Sequence, residues 1–204
     1  MTFKNLFYEI KHIWYTILKH RIKNRNQKSY WQFRSNTGIY ELDTYLESAK
    51  KERYYEIWER LLKHIDVKDK QIYDYGCNNG MWSREYEKRG AIVIGVDYII
   101  PKKYFGKHFI QKDISQFIAE KKAFLIHTAR TLHHLDQDQQ DETIKAIKKN
   151  IQDGGYILVI ESIKSGMPLT LGRNWRWTLE FYGFKIIAQS SDGVTQGILA
   201  QKVD

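Results

Sequence analysis

The sequence predicts an α/β protein built on a doubly wound, mostly parallel sheet, and three observations carry that reading. Short apolar runs at 92–96, 157–160 and 184–188 are bounded by glycine or polar turns, as expected of strands buried on both faces. Helical patterns lie between such runs: Ile144, Ile147 and Ile151 follow the polar run Asp136 to Glu142, and a stretch from Met81 carries Tyr86 and closes at Gly90. Finally, Gln71 to Asp97 reads strand, glycine turn, helix, strand, acid.

Taken in order, Gln71-Ile72-Tyr73-Asp74-Tyr75 is the first strand and Gly76-Cys77-Asn78-Asn79-Gly80 the turn. Glycine reaches φ > 0 and lets main chain approach a ligand closely, so Gly76 and Gly80 can fold a tight loop. The helix from Met81 to Arg89 aims its free N–H groups at that loop. Ala91 to Asp97 is the second strand, and its closing acid stands 21 residues past Gly76, the spacing at which a β-α-β unit returns a carboxylate to ribose hydroxyls. A dinucleotide site asks for Gly-x-Gly-x-x-Gly, but the second and third glycine positions are Asn78 and Met81. The loop therefore suits an adenosine-containing cofactor without a diphosphate bridge.

These residues resemble the class I S-adenosylmethionine (SAM)-dependent methyltransferases. Ile72 to Gly80 matches that family's first motif except at Asn78, where asparagine tolerates left-handed backbone. The resemblance runs from about residue 70 to 204. His108 to Ile114 is similar to the third strand with its acid, Ala123 to Thr128 to the fourth strand, and Thr131-Leu132-His133-His134-Leu135 to the stretch that follows it. Ile151 to Glu161 resembles the turn and fifth strand, and Tyr182 to Ile187 with Gly197 to Lys202 the closing hairpin. Phe124 replaces the acid usual near the start of the fourth strand.

The resemblance implies a Rossmann-like, seven-stranded sheet ending in an antiparallel hairpin, with extra N-terminal helices. It further implies that Asp74, Gly76 and Gly80 border the methionine half of SAM, with Cys77, Asn78 and Asn79 in the same loop. Asp97 would bind the ribose, and Asp113, with Ile114 beside it, would reach the adenine amine.

Composition sets outer limits. At 204 residues the chain suits one core, divided here into an N-terminal helical segment, 1–65, and a cofactor-binding domain, 66–204. A lone cysteine, Cys77, excludes an internal disulfide and points to a reduced, cytoplasmic setting. No apolar run approaches a membrane span. Metal-ligand spacing, a phosphate loop and a nucleophile elbow are all missing, so no metal site is expected.

Net charge is +9, and residues 1–28 hold seven Lys or Arg against Glu9 alone. Phe3, Leu6, Phe7, Ile10, Ile13, Trp14, Ile17, Leu18 and Ile22 recur there at helical spacing, under a basic face. Such a helix can pack on the core as a lid, lie peripherally on an anionic membrane, or grip RNA. The run Tyr30-Trp31-Gln32-Phe33-Arg34 can stack on bases or, by the resemblance, close over SAM. Tyr40 to Ile65 reads as a helix or helix pair covering the sheet.

Methyl transfer is an in-line displacement, so alignment and water exclusion dominate and no covalent intermediate is required. For a hydroxyl acceptor a histidine base would help, and His133 and His134 follow the fourth strand at the expected mouth; the alternative is that they are packing residues. His127 reads as a buried structural histidine. Arg130 can hold the carboxylate of SAM, an anionic substrate, or a structural ion pair. Glu161 is read either as orienting a substrate or as a solvated loop carboxylate, and Ser162 to Trp177 interrupts the strand pattern where this family varies its acceptor contacts. The expected function is SAM-dependent methylation of a small-molecule or lipid-like acceptor, at oxygen. The alternatives are an RNA methyltransferase and a non-catalytic SAM-binding or membrane-associated module.

Overall fold

Seven strands form one sheet in the order β3-β2-β1-β4-β5-β7-β6, as a computed structural model of the chain shows. It describes residues 48–101, 103–162 and 173–203, with side chains from Tyr54 onward, all within one unit, Leu46–Asp204. The basic stretch 1–28, the aromatic run Tyr30 to Arg34 and most of the variable stretch after Ser162 lie outside the described residues. Strands β1 (Gln71–Tyr75), β2 (Ile92–Asp97), β3 (His108–Gln111), β4 (Ala123–Ala129) and the C-terminal half of β5 (Ile151–Ser162) pair in parallel. Strands β6 (Phe184–Ser191) and β7 (Thr195–Lys202) close the sheet as an antiparallel hairpin, with β7 against β5.

Period-2 alternation splits the apolar strand residues between two cores. Tyr73, Tyr75, Ile126, Ile157, Val159, Ile198 and Ala200 face helices α3 (Gln137–Asn150) and α4 (Trp175–Phe181), through Ile144, Ile147, Trp175 and Leu179. Ile72, Val93, Leu125, Leu158, Ile160 and Leu199 face α1 (Ser48–Leu62) and α2 (Met81–Glu87), through Ile57, Trp58, Leu61, Leu62 and Tyr86. The covering helix expected across residues 40–65 is thus present at Ser48–Leu62.

Local chemistry sets the helix ends. Gly80, at φ 74, starts α2, and Gly90, at φ 80, ends it in a Schellman turn: Ala91 N–H donates to Tyr86 O at 3.2 Å and Gly90 N–H to Glu87 O at 3.0 Å. A capping box holds the start of α3, with Asp136 accepting from Gln139 N–H at 2.9 Å and the Gln139 side chain accepting from Asp136 N–H at 3.1 Å.

Two departures from the sequence reading stand out. Among the described residues no helix joins β3 to β4, where Ile114 and Phe117 pack on the α3 face, or β2 to β3, so winding is incomplete on the α2 face as well. Tyr104 packs there instead: a Cβ added at Gly80, Gly95 or Gly106 would collide with its ring. Conversely, the interrupted stretch ends in a helix, α4, with Asn174 accepting from Trp177 N–H at 3.1 Å and Trp175, Thr178 and Leu179 buried.

Candidate active site

The parallel strands all point their C-termini to one edge, where Gly76, Asp97 and Arg130 come together. Gly76 and Gly80 have φ of 67 and 74, and Asn78 between them has φ 48, so the loop keeps its shape with asparagine in place of the middle glycine. Asp97, 7% exposed, ties that loop to β2: its Oδ2 accepts from Asn78 N–H and its Oδ1 from Ile99 N–H, each at 3.0 Å. Loss of hydration on burial pushes its carboxyl up to about 6, against the lowering effect of those N–H donors.

Asp74 lies one level below and is 1% exposed. Its Oδ2 accepts from Ser83 Oγ at 2.7 Å, and its Oδ1 lies 3.2 Å from His127 Nδ1. Tyr104 hydroxyl, 3.0 Å from Ser83 Oγ, extends the chain to the β2–β3 connection. Asp74 therefore supports the loop from beneath, with both oxygens engaged by the protein. Ser83→Ala strips a partner from a buried carboxylate, and an expected loss of about 1–3 kcal/mol is readable by denaturant titration. His127 is fully buried against Trp82 and Tyr86, as a structural histidine is.

Other sequence candidates separate by location. The Cys77 side chain packs under the loop, where its Sγ blocks any Cβ at Gly95; burial, then Asp74 and Asp97, push its thiol well up, so it stays protonated. Asn79 accepts from Met81 N–H at 3.3 Å through its side chain and from Phe105 N–H at 2.7 Å through its carbonyl. Asp113 is exposed beyond β3 and holds Ser115 N–H at 3.0 Å and Ser115 Oγ at 2.7 Å, whereas the Ile114 side chain belongs to the core. Asp113 has the access that an adenine contact needs; Ile114 can offer only backbone.

After β4 the chain makes a strained turn. Arg130 has φ 55, its N–H donates to Ile160 O at 2.8 Å, and its guanidinium lies 5.3 Å from the centroid of the Tyr54 ring. The Thr131 side chain occupies the space a Cβ on Gly76 would take. Leu132–His134 follows as one 3-10 turn, with the two histidine rings 4.0 Å apart. His133 is 3% exposed, and its Nδ1 contacts Glu161 Oε2. Glu161 corrects the solvated-carboxylate reading, because it is fully buried at the end of β5 and its Oε1 accepts from Thr131 N–H at 3.0 Å and Leu132 N–H at 2.8 Å. Thr131 was read only as part of a motif stretch; its opposition to Gly76 depends on the pairing of β1 with β4, a contact local sequence does not encode.

Residues 45–189 match the family described as Methyltransferase domain. The chain belongs to that family. Solved structures share the fold of this methyltransferase at low identity. The 1,6-didemethyltoxoflavin N1-methyltransferase of Burkholderia thailandensis, with 1,6-didemethyltoxoflavin and S-adenosylhomocysteine bound, gives a TM-score of 0.71 at 16% identity, covering 87% of each chain. The magnesium protoporphyrin IX methyltransferase ChlM of Synechocystis PCC 6803, with S-adenosylhomocysteine bound, gives 0.69 at 14%, covering 87% of this chain and 100% of that one. The N-methyltransferase NodS of Bradyrhizobium japonicum WM9 gives 0.62 at 17%, covering 76% of this chain and 87% of that one. Among curated proteins, none matches this chain.

The protein is thus a methyltransferase with a Rossmann-like fold, and SAM is the methyl donor that the resemblance in its first motif implies. Its loop fits that cofactor chemically: asparagine, at φ 48, holds the position where a diphosphate bridge would need glycine, and Asp97 ends β2 as a carboxylate able to accept from hydroxyl donors. Among the described residues, no cluster of His, Cys, Asp and Glu is placed to hold a metal, and no helix is long and apolar enough to cross a membrane.

Proposed function

We propose that this methyltransferase methylates an oxygen of a small or lipid-like acceptor, with His133 as general base. The observation that supports it is a nearly enclosed histidine beside the β4 end, fixed through Nδ1 by a carboxylate so that Nε2 is the basic nitrogen. SAM supplies a methyl group on a sulfonium, already activated for in-line displacement. With the donor bound, the loop from Gly76 to Gly80 would fix its direction, Asp97 would hold its ribose, and Arg130 would attract its carboxylate or an anionic group on the acceptor. As the acceptor oxygen bonds to the methyl carbon, the carbon–sulfur bond would break with its electron pair going to sulfur, and the hydroxyl proton would pass to His133 Nε2.

The test is methyl-labelled SAM offered to a panel of phenols and long-chain hydroxy acids beside matched amines. Label is expected on the hydroxylated members, with kcat lowered about 100-fold or more in His133→Asn. Label confined to amines, or full activity in His133→Asn, would end the oxygen reading. Label recovered instead in RNA, with binding that weakens steeply between about 50 and 200 mM salt, would reassign the acceptor to nucleic acid.

A further inference from the structure

Glu161 divides its two oxygens between two tasks. Oε1 gathers Thr131 N–H and Leu132 N–H, and Oε2 takes His133 Nδ1, from a position with no exposed surface. The turn it holds begins at Arg130, whose left-handed backbone costs a non-glycine residue about 1–2 kcal/mol. Such a turn persists only where its surroundings fix it, and the two N–H bonds to Glu161 do so. They also keep Thr131 over Gly76, between the cofactor loop and the His133 turn.

The second oxygen has a different consequence. A carboxylate has no proton to give, so Nδ1 must be the donor, and the neutral ring then carries its lone pair on Nε2. Backbone anchoring alone would need Oε1 only. Building on the His133 reading above, we propose that Glu161 is a positioning residue for methyl transfer, folding the Arg130–His133 turn and selecting the His133 tautomer that can accept a proton at Nε2.

Glu161→Gln separates the two tasks. Two N–H donors converge on the Oε1 position, so the amide oxygen must sit there, and the amide NH2 is left facing His133 Nδ1. That NH2 can only donate, which drives the ring proton to Nε2. The readout is long-range proton–nitrogen NMR on protein labelled with 15N-histidine, with His133 assigned by its disappearance in His133→Asn. The wild type is expected to carry its ring proton on Nδ1, and Glu161→Gln on Nε2, while the Thr131 and Leu132 amide resonances stay in place. In activity, kcat falls about 100-fold with the KM for SAM unchanged.

A wild-type ring protonated on Nε2 overturns the proposal without any variant needing to fold. An unchanged tautomer in Glu161→Gln, or loss of the Thr131 and Leu132 amides with the tautomer retained, does the same. The tautomer is read without acceptor or cofactor, so its failure is distinct from failure of the methyl-transfer reading, which shows up in the labelling panel.

Discussion

Gly76→Ala is expected to abolish calorimetrically measurable SAM binding and to cost the fold about 2 kcal/mol or more. Two effects add. Backbone φ at Gly76 is 67, in the region L-residues resist, and a Cβ there would fall inside the Thr131 side chain. Thr131 cannot simply withdraw, because its N–H is bound to Glu161 and its Oγ lies 3.2 Å from Ala129 O. The new methyl group must therefore push the loop out of the shape that Asp97 holds through Asn78 N–H. Gly193→Ala is the matched control: φ there is 83, but nothing lies within 4 Å of the added Cβ. That variant should lose about 1 kcal/mol and bind SAM as the wild type does. If Gly76→Ala bound SAM normally, the loop would not be the cradle.

The second large effect is a response to pH at Asp97. Its folded carboxyl is raised from 3.8 to about 6 by burial, so the group favours the folded state while protonated. That contribution is present below about pH 4 and is lost as pH rises through about 6, amounting to roughly 3 kcal/mol across the window. Relative to Asp97→Asn, which does not titrate, the wild type is expected to lose about that much stability between pH 4 and 7 in denaturant unfolding. SAM affinity should move the opposite way. Ribose hydroxyls donate to an ionised carboxylate, so affinity should fall about tenfold per pH unit below 6 as a proton competes for the same oxygens. A flat stability difference together with flat affinity would remove Asp97 from the site.

Much of the fold was legible because its elements are specified locally. Gln71–Tyr75 came out as read, since an apolar run ending at glycine marks a buried strand in sequence alone. Gly90 announced the end of α2 because only a left-handed residue closes a Schellman turn cheaply. Asn78 was legible for the same reason, and its φ of 48 is the conformation the motif departure demanded.

What escaped depends on contacts distant in sequence. Tyr104 replaces a helix beneath β2 only because Gly80, Gly95 and Gly106 gather around its ring, and no local pattern states that. Glu161 looks like a carboxylate at a strand end, where solvent is the usual partner. Its burial follows from β4 and β5 being neighbours, which brings the Thr131 and Leu132 N–H groups to it. Helix α4 was a different failure: Asn174 as cap with Trp175, Thr178 and Leu179 at helical spacing was readable, but Gly166, Pro168 and Gly172 before it suggested an interruption.

Calorimetric titration of the wild type and Asp97→Ala with S-adenosylhomocysteine tests the cradle most directly. One-to-one binding by the wild type, weakened tenfold or more in Asp97→Ala while the variant still unfolds cooperatively, is the expected result. Equal affinity in the two proteins would contradict it.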